Sequence, residues 1–199
     1  MDPQAEALIR ATIHDLANCL SGAQGILDLS DPSQPLSPSE RGRLEGVLSD
    51  GMTILSRSRH LALGTLPEAS LEPGMDWCAE LERQLAPLSA IFRCAFELHP
   101  STEALDARWG GELLREYLLG VTRVLLPYVQ GGRLQVELGL EGRHWVIQWT
   151  PVSTLAESLN PKTQRPRDVT SHWILRLTEG LDAVLSHRDR TAVARVPRP

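Results

Sequence analysis

Ile13-His14-Asp15-Leu16-Ala17-Asn18 is the stretch of this chain in which residue types and spacing could do chemistry. An imidazole near its ordinary pKa of about 6.5 is largely neutral at physiological pH, and a neutral ring nitrogen on a rigid helix flank is well suited to attack a phosphoryl group. A carboxylate next in sequence, Asp15, can accept a proton from one ring nitrogen and fix the tautomer that presents the other as nucleophile. Arg10 and Asn18 lie one helical turn to either side of His14 and offer a cation and an amide to the oxygens of a phosphoryl group in transfer. His60, His99, His144, His172 and His187 show no metal-ligand spacing and are assigned no role.

A helix expected over Pro3 to Leu29, capped by Asp2, must carry this row. Ile9, Ile13, Leu16, Leu20, Ala23 and Leu27 recur on it at alternating spacings of four and three and form one apolar seam, with His14 beside it. Pro32 and Pro35 break the chain, and Ser37-Pro38-Ser39-Glu40 is a capping box that opens a second long helix. Leu44, Val47, Leu48, Ile54, Leu55 and Leu61 give that helix a wide apolar face, and it is expected to end near Leu66. Two helices cannot hide faces this wide by pairing only with each other, so a homodimer forming a four-helix bundle is expected, the alternative being that the C-terminal half of the chain covers the second face.

Pro67 to Gly74 reads as a linker between a hairpin domain of residues 1–66 and a second domain of residues 75–199. In that domain Trp77 to Leu88 is expected as a helix, Phe92 to Leu98 as a strand and Gly110 to Leu126 as a helix. Gly131-Gly132 turns the chain. Arg133 to Leu138 and His144 to Trp149 alternate as strands of a hairpin, with Trp145 and Trp149 on one core-facing side. After a Pro- and Ser-rich loop come a short helix, Ser171 to Glu179, and strands at Ala183 to Ser186 and Thr191 to Val196. The fold class is α+β: a helical hairpin followed by an α/β sandwich.

Composition removes several alternatives. The net charge is −5, with arginine supplying nearly all the positive charge, so there is no basic stripe for nucleic acid. The run Lys162 to Arg167 reads as a solvated loop. Cys19, Cys78 and Cys94 lack any metal or disulfide spacing and read as reduced thiols. With no export signal and no stretch near the ~20 apolar residues of a membrane span, a cytoplasmic location is expected.

His14-Asp15-Leu16-Ala17-Asn18 resembles the H box of sensor histidine kinases, an H-[D/E]-L-x-[N/T] pattern on the first helix of their dimerising hairpin. The order of elements that follows is similar to the kinase ATP-binding domain, so the resemblance covers nearly the whole chain. Its nucleotide residues do not carry over. Gly120 and Val124 stand where the family has asparagines that hold Mg-ATP, Thr150-Pro151-Val152-Ser153 replaces the Asp-x-Gly-x-Gly turn, and Thr170-Ser171-His172-Trp173 replaces the glycine-rich phosphate turn.

A kept hairpin with an emptied nucleotide site resembles the dimeric histidine phosphotransferases of the ChpT kind. That resemblance implies a phosphorelay protein with no cofactor of its own, in which His14 moves phosphoryl groups between response-regulator receiver domains that supply Mg²⁺. It implies a hybrid histidine kinase as a further partner. Ala17, Asn18, Ser21 and Gly22, with Ser49, Met52 and Thr53 of the second helix, are the expected docking surface. Two alternatives stay open: a phosphatase in which Asn18 orients a water, and a scaffold that binds a receiver or kinase without chemistry.

Overall fold

The computed structural model describes residues 3–68, 70–126, 129, 132–152, 169–188 and 191–199. They divide into two compact units, Met1–Thr65 with Pro166–Trp173, and Leu66–Arg165 with Ile174–Pro199.

The first unit is built on α1 (Pro3–Leu29) and α2 (Pro38–Leu63). The expected cap at Asp2 lies outside the described residues. The capping box of α2 is present in both halves: the Glu40 N–H donates to Ser37 Oγ at 3.3 Å, and the Ser37 N–H donates to Glu40 Oε2 at 2.8 Å. The helix stops three residues before the expected end because Gly64 turns left-handed at φ 65° and caps the last carbonyls.

Three contacts set the hairpin register: Thr12 Oγ1 to Ser58 Oγ at 2.9 Å, Cys19 Cβ 3.9 Å from where a Gly51 Cβ would stand, and Val47 methyls 3.8 Å from that of Gly22. His14 is therefore level with Ser56, Asn18 with Met52 and Ser21 with Ser49.

At about 100° per residue, α1 presents three faces roughly 120° apart. Ala11, Cys19, Gly22 and Ile26 turn to α2, and Ala11 and Ile26 are buried. The expected seam does not face α2; Ile9, Ile13, Leu20 and Leu27 are 47%, 63%, 69% and 47% exposed. The third face carries His14, Ala17, Asn18 and Ser21, all exposed. On α2, Leu48, Met52, Leu55 and Leu63 are exposed as well, so the pair has an apolar stripe left open to solvent among the described residues.

The second unit is a five-stranded sheet in the order β2-β4-β5-β7-β6. Its strands are β2 (Ala95–Pro100), β4 (Arg133–Glu141), β5 (His144–Pro151), β6 (Val184–Arg188) and β7 (Thr191–Pro197). β2 runs parallel to β4 and the other pairs are antiparallel. The helix α3 (Gly74–Phe92) is longer than expected at both ends. Alternation puts Leu134, Val136, Leu138, Trp145, Ile147, Trp149, Ala192, Ala194 and Val196 on the buried side. The amphipathic α5 (Gly111–Leu125) contributes Leu114, Tyr117, Leu118 and Val121 to the same core, and α6 (Val169–Gly180) adds Leu177.

Three elements are not anticipated by the sequence reading. Residues 71–73, inside the expected linker, form β1 (Leu71–Pro73), which pairs antiparallel with β3 (Arg108–Gly110), and α4 (Thr102–Asp106) precedes β3. Arg115 of α5 fastens β1 with a two-pronged pair to Glu72, 2.7 and 3.3 Å. Trp109 of β3 stacks between Trp77 (4.8 Å) and Trp145 (6.1 Å), and each of the three indole N–H groups donates to a backbone carbonyl.

Tyr117 gives this core a pH limit. Its hydroxyl is buried, and burial pushes the phenol up to about 12 from 10.0, which a neighbouring Thr178 hydroxyl offsets only in part. Below pH 10 both folded and unfolded chains carry the neutral phenol and nothing is lost. Between the unfolded and folded pKa values only the unfolded chain ionises, so stability falls by up to about 2 kcal/mol. Denaturant midpoints measured from pH 9 to 11.5 are expected to fall more steeply for the native chain than for Tyr117→Phe; equal slopes would contradict the assignment.

Candidate functional site

His14 stands on the third face of α1 with its side chain 68% exposed, while that of Asp15 is 14% exposed. The ring Nδ1 is 3.0 Å from Asp15 Oδ1, and Asn18 Nδ2 lies 3.4 Å from the same nitrogen. A carboxylate only accepts, so the shorter contact, to Asp15, selects the Nδ1–H tautomer; the Asn18 amide nitrogen, itself a donor, then makes no hydrogen bond to that N–H, and the Nε2 lone pair stands on the exposed side of the ring. The helix provides both neighbours, Asp15 as the adjoining residue and Asn18 one turn on.

Asp15 is also held from its other side. Its Oδ2 accepts the backbone N–H of Val169 at 2.9 Å, a donor from the segment 169–173 of the same compact unit. That segment is fastened twice more: the nearly buried Arg57 donates to Thr170 Oγ1 at 3.3 Å, and the Trp173 ring lies 5.5 Å from that of His60. The sequence reading passes over Arg57 and Val169 and names Trp173 only within the replaced phosphate turn, because no periodic signal announces a contact so distant along the chain.

Arg10 shares the His14 face but pairs with Glu6, one turn in the other direction. Ala17, Asn18, Ser21 and Ser49 are exposed, and Thr53 is half-buried with its hydroxyl given to Ser49 O at 3.0 Å. Gly22, although exposed, is turned toward Val47, and Met52 belongs to the apolar stripe, where it shares a groove with Leu55, Ser56, Arg59, His60 and Leu63. Burial, then the charges of Asp50 and Asp15, push the Cys19 thiol up, so it stays protonated beside the site.

Of the second unit's positions that the resemblance sets against kinase nucleotide residues, Gly120 and Pro151 are buried, Val124 and Thr150 are half-buried and Val152 is exposed. Ile174 Cγ1 lies 2.8 Å from where a Cβ on Gly120 would stand, so α5 and the residues of α6 from Ile174 onward approach as closely as glycine permits. Pro151 is buried at the end of β5, and Ser153 lies outside the described residues. Restoring the amide with Gly120→Asn is expected to overpack this contact and cost about 1–3 kcal/mol, offset by a few tenths from helix propensity. Urea denaturation measures it, and a stabilised variant would show that the contact yields freely.

Among the described residues no group of three or more His, Cys, Asp or Glu side chains is placed to hold a metal ion, and no helix is long and apolar enough to cross a membrane.

No protein-family profile and no curated protein matches the chain. Solved structures do. The histidine kinase AdeS of Acinetobacter baumannii superposes with a TM-score of 0.60 at 12% identity, over 95% of this chain and 96% of that one. A bacterial phosphotransferase superposes at 0.58 and 13% identity, over 98% and 96% of the two chains. A histidine kinase, ThkA, in a complex with the response regulator protein TrrA superposes at 0.53 and 8% identity, over 94% and 60%. The fold is thus related to the sensor histidine kinase core: an N-terminal helical hairpin and a C-terminal mixed α/β sheet domain resembling an ATP-binding domain. At these identities the likeness fixes the fold, and activity has to be argued from the residues.

Proposed function

We propose that this chain is a histidine phosphotransferase of a two-component phosphorelay that carries phosphoryl groups on His14 and does not use ATP. The observation that carries the reading is an exposed imidazole whose Nδ1 is committed to Asp15 at 3.0 Å while its Nε2 has no partner among the described residues. Nε2 attacks the phosphorus of a receiver's aspartyl phosphate; the N–P bond forms as the P–O bond breaks, and the aspartate leaves with the electron pair as a carboxylate. The positive charge that develops on the ring is held by Asp15, which accepts the Nδ1 proton in a hydrogen bond. Attack by a second receiver's aspartate on the phosphorus forms a P–O bond as the N–P bond breaks, runs the same step backwards and returns the lone pair to Nε2.

The chain supplies a nucleophile and a surface, and the receiver supplies its acidic pocket and Mg²⁺. Ala17, Asn18 and Ser21, with Ser49 and Thr53 level with them, form a face of small side chains that would admit a receiver helix closely. A hybrid kinase with its own receiver fits the same face. The close approach of Ile174 to Gly120 supports the absence of ATP, since the helix flank that carries metal-binding amides in kinases is here in van der Waals contact. We further propose a homodimer through the uncovered apolar stripe, with residues 1–66 as its bundle, 75–199 as a degenerate kinase-like domain and the cytoplasm as its location.

The test is incubation of the purified chain with a panel of phosphorylated receiver domains. Acid-labile label on the chain, passed on to a second receiver, is the expected result. Loss of receiver label without labelling of the chain would replace the reading with a phosphatase in which Asn18, exposed beside His14, orients water. Label acquired from ATP alone would overturn it.

A further inference from the structure

We infer that the segment Val169–Trp173 is a positioning element for His14, acting through the backbone N–H of Val169 on Asp15. The inference rests on the reading of His14 as the phosphoryl carrier only for its consequence in transfer; the geometry and its first test stand without it.

Asp15 is a divided carboxylate. One oxygen, Oδ1, holds His14 Nδ1 at 3.0 Å, and the other, Oδ2, accepts the Val169 N–H at 2.9 Å. Val169 is the first residue of α6, so its N–H has no acceptor within its own helix and must find one elsewhere. The first turn of a helix is also where a negative charge is most favoured. An aspartate on α1 alone would turn about its side-chain torsions and share its oxygens with solvent. Pinned at Oδ2, it has one orientation left, and that orientation places Oδ1 on His14.

The segment that delivers this N–H is not loosely laid. Val169 is fully buried and Trp173 is 1% exposed. Arg57, 4% exposed, reaches Thr170 Oγ1, and His60 faces the Trp173 ring. The arrangement is one in which a second group orients the carboxylate that orients an imidazole, and it sets which ring nitrogen carries the proton. Without it the ring drifts toward the Nε2–H form, which has no lone pair on the exposed nitrogen and cannot attack.

Removing the donor without removing the helix tests this. Val169→Pro deletes the N–H at the one helical position where proline is well tolerated, and Val169→Ala trims the side chain but keeps the N–H. Nitrogen-15 shifts of the His14 ring, read on the full-length chain above the imidazole titration and with no receiver present, are expected to report mainly Nδ1–H in the native chain and in Val169→Ala. A shift toward Nε2–H is expected in Val169→Pro, with phosphoryl transfer slowed roughly 10-fold.

Should Val169→Pro fail to fold, amide exchange decides: the Val169 N–H is expected to be protected in the native chain and to lose protection in Asp15→Ala, while amides beyond Ile174 keep theirs. An unchanged tautomer in a folded Val169→Pro, or an unprotected Val169 amide in the native chain, overturns the inference. Absent transfer with the tautomer as described would count against the phosphotransfer reading alone.

Discussion

His14→Gln is expected to reduce phosphoryl transfer by at least about 1,000-fold, to the limit of detection, while leaving the unfolding midpoint within about 0.5 kcal/mol of the native value. The two halves of that expectation have separate causes. Glutamine has an amide where the imidazole has a nucleophilic lone pair, so the N–P bond has no atom on which to form. The side chain is 68% exposed and its contacts are with its own helix, and glutamine is at least as good a helix former as histidine. Radiolabel passed between two receivers, measured beside a urea melt of the same sample, checks both. Transfer that survives the substitution would assign the chemistry to another group. Asn18→Ala separates the remaining readings: a phosphatase loses its activity with the amide, whereas a phosphocarrier with Nδ1 still on Asp15 at 3.0 Å still takes label on His14, more slowly without the amide at the phosphoryl oxygens.

What could be read from the sequence divides along the length scale of the interactions. The His14 row, the Ser37/Glu40 box and the alternation in β4 and β5 depend on neighbours within a turn of helix or on strand period, and they read directly. The stop at Gly64 was also local, a glycine just past the last apolar positions and near His60, and it could have been used. Arg10 shows a limit of local reading: it is one turn from His14 and equally one turn from Glu6, and acid followed by base at i, i+4 is the favourable order.

The strands β1 and β3 have three residues each, too few for alternation to declare itself, and they exist because Trp109 stacks on Trp77 and Trp145 from distant parts of the chain. The bond from Val169 to Asp15 crosses 154 positions. Neither has a signature in spacing, although an aspartate in an H-box-like row is the residue from which a search for such a donor would begin.

The apolar stripe leads to the second large effect. Ile13→Glu with Leu20→Glu is expected to convert a dimer into a monomer of 22.0 kDa without unfolding the hairpin. Both side chains are more than 60% exposed in a single chain, so in the monomer each glutamate replaces an apolar surface already in water at a cost of only tenths of a kcal/mol. In a four-helix bundle the same positions are central to the interface, and four unpaired carboxylates per dimer would have to be buried or the bundle opened. Even at about 1 kcal/mol for each, the dissociation constant rises on the order of 1,000-fold. Light scattering after gel filtration reads the mass directly. The native chain adds an independent sign, because a dimer that unfolds to monomers has a melting temperature that climbs with concentration, and this dependence is expected to vanish in the double variant. A native chain that elutes as a monomer at high concentration would remove the bundle. His14, on a face of α1 turned about 120° from the stripe, would then have to work from a single hairpin.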